Sequence, residues 1–543
     1  MITLRIMGLV IAVLVGMGIN YLALPAWNLR NPSLWSFLIV ISIIGAIIEC
    51  VIESSSKNSK KKVKHKYIGT QATLIVAGIL FVILLLGFVT SWPMFSASKY
   101  QAMTDIKEGN FEQDINQVDN VSNISIVDME TAEHLGDRTI GSIKNSAWYE
   151  VDNEYNLIKY NGELYRISSL NYGGFFKYNK ANKTGIPGYV LVNTSTQEAK
   201  FIELTAPIKY SPSAYWSYDL KRHLRNEYPS YIFGKSFFEI DEEGTPYYIT
   251  AVVNPTIGMF GGQKEETFII TNATSGECKE YTSDQLPEWV DHAYSLDYLM
   301  RITENNLTYI NGFWNSIFSQ TNVLKTTYFY RNMEIGFEGY NTAITSNGEI
   351  VFYTGLTPAS NAESNVGFIL ANPKTGEVIR YTCSGAEESS AQASAESLVQ
   401  DLRYVATFPT ILNVNGEETY FMLLKDKAGL VQRYALCNVK NYTKVVQAET
   451  LKDAVNLYLE KVGVENNQNK EVQNISGKIT ELYNAEIEGN TYYYFKIENS
   501  DNLYMSSIQN SNKQVLLKIG TKINIDYVTT SEIGVCLVQN IVF

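Results

Sequence analysis

A chain of 543 residues with 45% hydrophobic residues has room for two to four domains and enough apolar side chain to build their cores, which excludes a largely disordered polymer. The formal net charge of -12 is unevenly placed: residues 1 to 92 hold eight Lys or Arg against two Glu, a balance of +6, so the rest carries -18. That acidic remainder repels nucleic acid and anionic headgroups, and 37 Tyr against 13 Pro favour strands and polar turns over helix bundles.

Three apolar runs open the chain, at about 2–24, 34–52 and 68–92, each near the roughly 20 residues that cross a hydrocarbon core. Three transmembrane α-helices in a region 1–92 are expected, with the lipid bilayer as a partner. The loop before the third run reads KNSKKKVKHK, with Lys57, Lys60, Lys61, Lys62, Lys64 and Lys66, against a lone Arg30 in the first loop. Positive loops stay inside, so the N-terminus is expected to be cytoplasmic and everything after about residue 92 extracytoplasmic at the cell membrane. Gly8, Ala12 and Gly16 recur every four residues and give the first run a small-residue face for packing on a neighbouring helix. Glu49 and Glu53 fall where the second run meets interfacial water and read as boundary residues.

Residues 93–146 read as a stalk or small α/β element, with a helix capped by Asp128 and ended near Gly136. From 147 to 463 one pattern recurs four times: an aromatic, three mostly apolar residues and Asn, at Asn193, Asn272, Asn372 and Asn438. Upstream of each stands a turn glycine leading a strand, at Gly162, Gly244, Gly348 and Gly416. A helix-like stretch follows each second hairpin. Four irregular ββββα units are expected, at about 147–230, 231–310, 325–405 and 406–463. The turns TSGE at 274–277 and KTGE at 374–377 resemble those of PepSY-like modules, small extracytoplasmic sheet-and-helix domains. That resemblance implies an envelope regulator or adaptor, including a regulator or inhibitor of an extracytoplasmic peptidase.

A polar linker at about 462–474 leads to five strand candidates in 470–543, whose order resembles an OB-fold, a small β-barrel used for oligonucleotides, oligosaccharides and protein contacts. Tyr492, Tyr493, Tyr494 and Phe495 offer rings for stacking, but alternation puts half of them on one face. From Lys470 onward six basic residues face eight acidic ones, against nucleic-acid binding.

The chemistry-bearing patterns are sparse. No phosphate-loop, nucleophile-elbow, zincin or EF-hand motif occurs, and the four His stand in separate segments. Cys50, Cys278, Cys383, Cys437 and Cys536 form no C-x-x-C pair. No catalytic residue, cofactor or metal is expected. The charged run from Asp219 to Glu227 reads as a solvated helix face, and GMFGG at 258–262 as a long hairpin connection. The fold expected is therefore three transmembrane α-helices, an α+β ectodomain of tandem antiparallel sheet-and-helix repeats, and a C-terminal small β-barrel. The role expected is that of a non-catalytic binding or scaffold protein of the bacterial cell envelope with a protein partner there. Polysaccharide or nucleic-acid binding through the barrel stands as the alternative.

Overall fold

The computed structural model describes residues 2–55, 67–115, 117–118, 124–331, 339–359, 364–462, 473–487, 490–507, 516–529 and 534–543. The six lysines of the second loop, Lys57 to Lys66, and most of the expected linker lie outside the described residues.

Helices α1 (Ile2–Ala23), α2 (Pro32–Ser55) and α3 (Ile68–Thr90) are long and apolar enough to cross a membrane. A Cβ added at Gly8 would meet Ile48 and Ile52 of α2, and one at Gly16 would touch Ile41, so both glycines of the small-residue face lie against α2. Glu53 is more than a boundary residue: its carboxylate accepts from the Gly69 and Thr70 amides and caps the start of α3.

After α3 come α4 (Pro93–Gln101), β1 (Ile106–Glu108), α5 (Phe111–Asp114) and α6 (Met129–Asp137), the last capped by Asp128 as expected. The first sheet uses β2 (Tyr149–Val151), β3 (Asn156–Tyr160), β4 (Glu163–Tyr172), β5 (Ile186–Asn193) and β6 (Ala199–Ile208), interrupted by α7 (Phe175–Ala181) and followed by α8 (Leu220–Glu227). The second runs β7 (Ile232–Ile240), β8 (Pro246–Ile257), β9 (Gly261–Asn272) and β10 (Cys278–Thr282), followed by α9 (Leu296–Thr308) and α10 (Phe313–Ile317). The third combines β11 (Leu324–Thr326), α11 (Thr327–Arg331), β12 (Asn341–Ile344), β13 (Ile350–Pro358), β14 (Ser364–Ala371) and β15 (Val378–Ala386), then α12 (Glu388–Ser397). The fourth holds β16 (Val405–Ala406), β17 (Thr410–Val414), β18 (Glu417–Lys425), β19 (Val431–Asn438) and β20 (Val445–Ala448), then α13 (Leu451–Val462).

Each sheet thus contains a four-stranded antiparallel meander, but extra edge strands enlarge three of them. β1 pairs in parallel with β15, and Gln117 bridges to Asn413, so parts of 93–146 join the third and fourth sheets.

The Asn and Gly anchors acquire a physical role. The side-chain oxygens of Asn193, Asn272 and Asn372 each accept two backbone N–H groups of the following turn, and that of Asn438 accepts the Asn441 amide. In three sheets the same amide also donates to the Glu after the turn glycine: Glu163, Glu349 and Glu417. The two hairpin turns of a sheet are thereby tied together. Gly162, Gly244, Gly348 and Gly416 have φ near +80°, where a side chain is strained.

Consecutive sheets share their cores. Phe238, Tyr248 and Ile269 of the second pack with Ile167, Tyr189 and Val190 of the first, and α9 lies between the second and third. Tyr353 and Phe368 of the third pack with Tyr420 and Met422 of the fourth. The fourth returns to the first: Lys425 pairs with Asp128 and Glu130 at α6, and Gln197 donates to the Tyr434 hydroxyl. The four sheets therefore close a propeller-like ring, with the first meander strands β3, β7, β12 and β17 innermost. Asn156 of β3 donates to the Phe238 carbonyl of β7, and Thr410 of β17 to the Thr342 carbonyl of β12.

Leu459–Phe543 form a separate compact unit. Its strands β21 (Gln473–Ile487), β22 (Asn490–Ile497), β23 (Leu503–Ser507), β24 (Lys522–Thr529) and β25 (Val535–Val542) close a barrel in the order β21-β22-β23-β25-β24, with β23 parallel to β25. Ile479, Phe495, Tyr504, Ile525 and Val538 fill it.

Candidate functional site

The innermost strands carry a cleft of about 830 Å³ between the first, third and fourth sheets. Its apolar wall comes from Leu157, Ala343, Ile344 and Leu412, and its rim from Lys159, Glu163, Asn193 and Asn347. Gly162 and Gly348 also line it. Turn residues that the sequence marks as structural punctuation are thus gathered at one end of the ring, around a space of the size that holds a small ligand or a peptide side chain. Glu163 is engaged by Asn193 and by the Tyr165 hydroxyl, and Lys159 is the cationic side chain of the lining among the described residues.

A smaller void of about 120 Å³ lies between β3, β7 and β12 and is bordered by Asp128, Arg166, Lys235 and His292. His292 Nδ1 lies 2.9 Å from Glu239 Oε1, and the Glu239 carboxylate also accepts the backbone N–H groups of Asp291 and His292. Burial pushes the Glu239 carboxyl up to about 8, against the pull of those two amides. Burial likewise lowers His292 to about 4 and raises Asp291 to about 7, the latter helped by the Glu239 charge beside it. Burial thus favours the neutral forms of the Glu239 carboxyl and the His292 imidazole in the core of the ring. The sequence hides this pair, because Glu239 and His292 are 53 positions apart and meet only when β7 packs on the segment before α9.

His223 and Cys278 also approach, at 3.6 Å. The ring nitrogen that faces the thiol also lies 2.7 Å from the Gly276 carbonyl, so it carries a proton for that acceptor, and burial raises the thiol. Burial opposes thiolate formation, and a nitrogen that carries its proton for the carbonyl is no base for the thiol. None of the five cysteines is in a disulfide, and no group of three or more His, Cys, Asp or Glu suited to a metal occurs among the described residues.

The charged run at 219–227 departs from the solvated face expected of it. Arg225 is buried and donates to the carbonyls of Leu24, Tyr228, Pro229 and Tyr231, with its guanidinium over the Phe233 ring. Burial lowers it to about 10. Arg222 donates to the Tyr21 carbonyl and stacks on the Tyr21 ring. The cations of α8 therefore neutralise the open carbonyls at the end of α1, which the macrodipole makes negative.

GMFGG is likewise a tight tip on two 12-residue strands. Phe260 packs edge-on against Phe88 of α3, and its amide donates to Ser91. A Cβ at Gly87 would fall on the Phe260 ring. The α1–α2 connection and the chain after α3 thus meet the same α+β body, on the same side of the helices. The cleft lies at the other end of the meander strands, with the first turns.

Comparison with known proteins finds no family whose model matches this chain. No curated protein matches it either. The reading of function rests on the residues themselves.

Proposed function

We propose that the chain is a membrane-anchored binding or scaffold protein of the cell envelope, non-catalytic, whose ring of sheets stands outside the cytoplasm and holds its partner at the cleft end. The observation that carries this reading is the cleft of about 830 Å³ walled by three sheets, at the end of the strands away from the hairpin tip seated on α3. A partner arriving from the envelope meets that end first. The lysine-rich second loop supports a cytoplasmic N-terminus, since positive loops resist translocation. The barrel's order, with its third and fifth strands parallel, supports the OB-like reading of residues 470–543.

The test is copurification of the full-length protein, gently solubilised from its membrane and crosslinked, alongside the Leu412→Arg and Lys159→Glu variants. A partner lost with both variants but kept by the wild type supports the cleft as its seat. A peptidase among the captured proteins points to the regulator reading. Capture unchanged by both variants overturns the cleft. Glycan capture that needs residues 470–543 instead moves the binding function to the barrel.

A further inference from the structure

The ring carries an apolar surface that its own packing leaves uncovered. On α10 and its flanks, Trp314 is 56% exposed, Phe318 77%, Ile317 50% and Ile310 41%. Trp314 and Phe318 stack on one another at 5.8 Å, so the exposed rings form one plate. Isolated exposed apolar residues need no explanation, but a contiguous plate of this kind marks an interaction surface.

Its position identifies the partner. Asn306 at the end of α9 donates to the carbonyls of Gln101 and Thr104 at the end of α4, and Tyr309 lies against Tyr100. Tyr100 in turn donates to the Ser91 carbonyl, at the last turn of α3. α4 begins three residues after α3 ends and presents Trp92 and Phe95, 53% and 62% exposed. Lys99, four residues beyond Phe95 and past the kink at Ser96, is exposed as well. Two Trp, two Phe and a Lys thus lie where a membrane-crossing helix leaves the hydrocarbon, which is the composition of an interfacial belt.

We infer that α10 with its flanking residues, together with Trp92 and Phe95 of the α4 turn, forms an interfacial anchor that seats the second and third sheets on the bilayer surface crossed by α1 to α3. The aromatic rings lie at headgroup level, and Lys99 reaches anionic headgroups. Seating the ring in this way holds it at a fixed tilt. The inference rests on the three helices spanning a bilayer, not on the cleft or its partner.

The test uses the full-length protein in phosphatidylcholine nanodiscs whose lipids carry bromine high on their acyl chains, a contact quencher of tryptophan. The emission lost in Trp314→Phe relative to wild type isolates Trp314, and Trp148→Phe serves as a control packed against the core of the first sheet. A drop of about twofold or more in the Trp314 component in brominated discs, with the Trp148 component unchanged, is the expected result for an interfacial ring. An unquenched Trp314 component overturns the anchor. If Trp314→Ala with Phe318→Ala then converts a dimer to a monomer by ultracentrifugation, the plate is an interface between copies instead. Because Trp314 is exposed, the Phe variant leaves the fold intact, and circular dichroism verifies this.

Discussion

Arg225 shows how a single side chain can join two parts of a molecule. Its donors reach carbonyls at the end of α1 and in the turn before β7, two of which, those of Tyr228 and Pro229, also accept the Tyr231 and Trp27 amides. Arg225→Ala removes the one side-chain donor shared by these four part-buried carbonyls and is expected to cost about 1–3 kcal/mol, read as a lower thermal midpoint in detergent. Arg225→Lys recovers little, since one ammonium does not span the set. Glu239 predicts a pH dependence. Its folded value is raised from 4.5 to about 8, so its contribution is complete below pH 4.5 and is lost as pH rises through 8. His292 is lowered from 6.5 to about 4, so its contribution is complete above pH 6.5 and is lost as pH falls through 4. The stability of the ring therefore falls between pH 6.5 and 8, where Glu239 titrates together with Asp291, itself raised from 3.8 to about 7, while His292 stays neutral. Glu239→Gln is expected to shrink that arm, leaving the Asp291 share, and to keep the acid arm, in thermal midpoints taken across pH. Its absolute stability drops, because the amide nitrogen faces N–H donors.

At the scale of elements, the β8–β9 hairpin has the clearest task. Its strands outrun those of the other sheets because the tip must reach α3. Gly258 sits at φ +60°, and a Cβ there would come within 2.4 Å of the Thr90 carbonyl oxygen. Gly258→Ala is therefore expected to cost about 1–3 kcal/mol and to unseat the tip, seen as faster amide exchange at 258–262 with the rest of the second sheet unchanged. The meanders themselves were legible in the sequence. Asn-capped turns and positive-φ glycines need particular residues at particular positions, so Asn193, Gly162 and their counterparts mark the hairpins in the chain alone. The edge strands were not legible: β1 and β16 are two or three residues long and exist because a neighbouring sheet edge completes them. The charged stretch of α8 was read as solvated for a similar reason. An amphipathic helix pattern does not say whether its polar face meets water or the open end of another helix.

For the whole molecule, the division into a body of Met1–Tyr458 and a unit of Leu459–Phe543 predicts two unfolding transitions in calorimetry. Arg225→Ala is expected to lower the larger one and leave the barrel transition in place; a shift of both by the same amount would show that the two unfold as one. The sequence by itself determined the three apolar helices, the hairpin turns, the helix capped at Asp128 and the five strands of the barrel. Each follows from local rules: apolar length, turn chemistry, a side-chain cap and alternation. The tertiary structure alone decided the closure of four sheets into a ring, the cleft among their inner strands and the burial of Glu239 beside His292. It also turned the α8 arginines onto the end of α1. Those features depend on contacts between residues tens to hundreds of positions apart, such as Asp128 with Lys425, and neither periodicity nor local spacing records them.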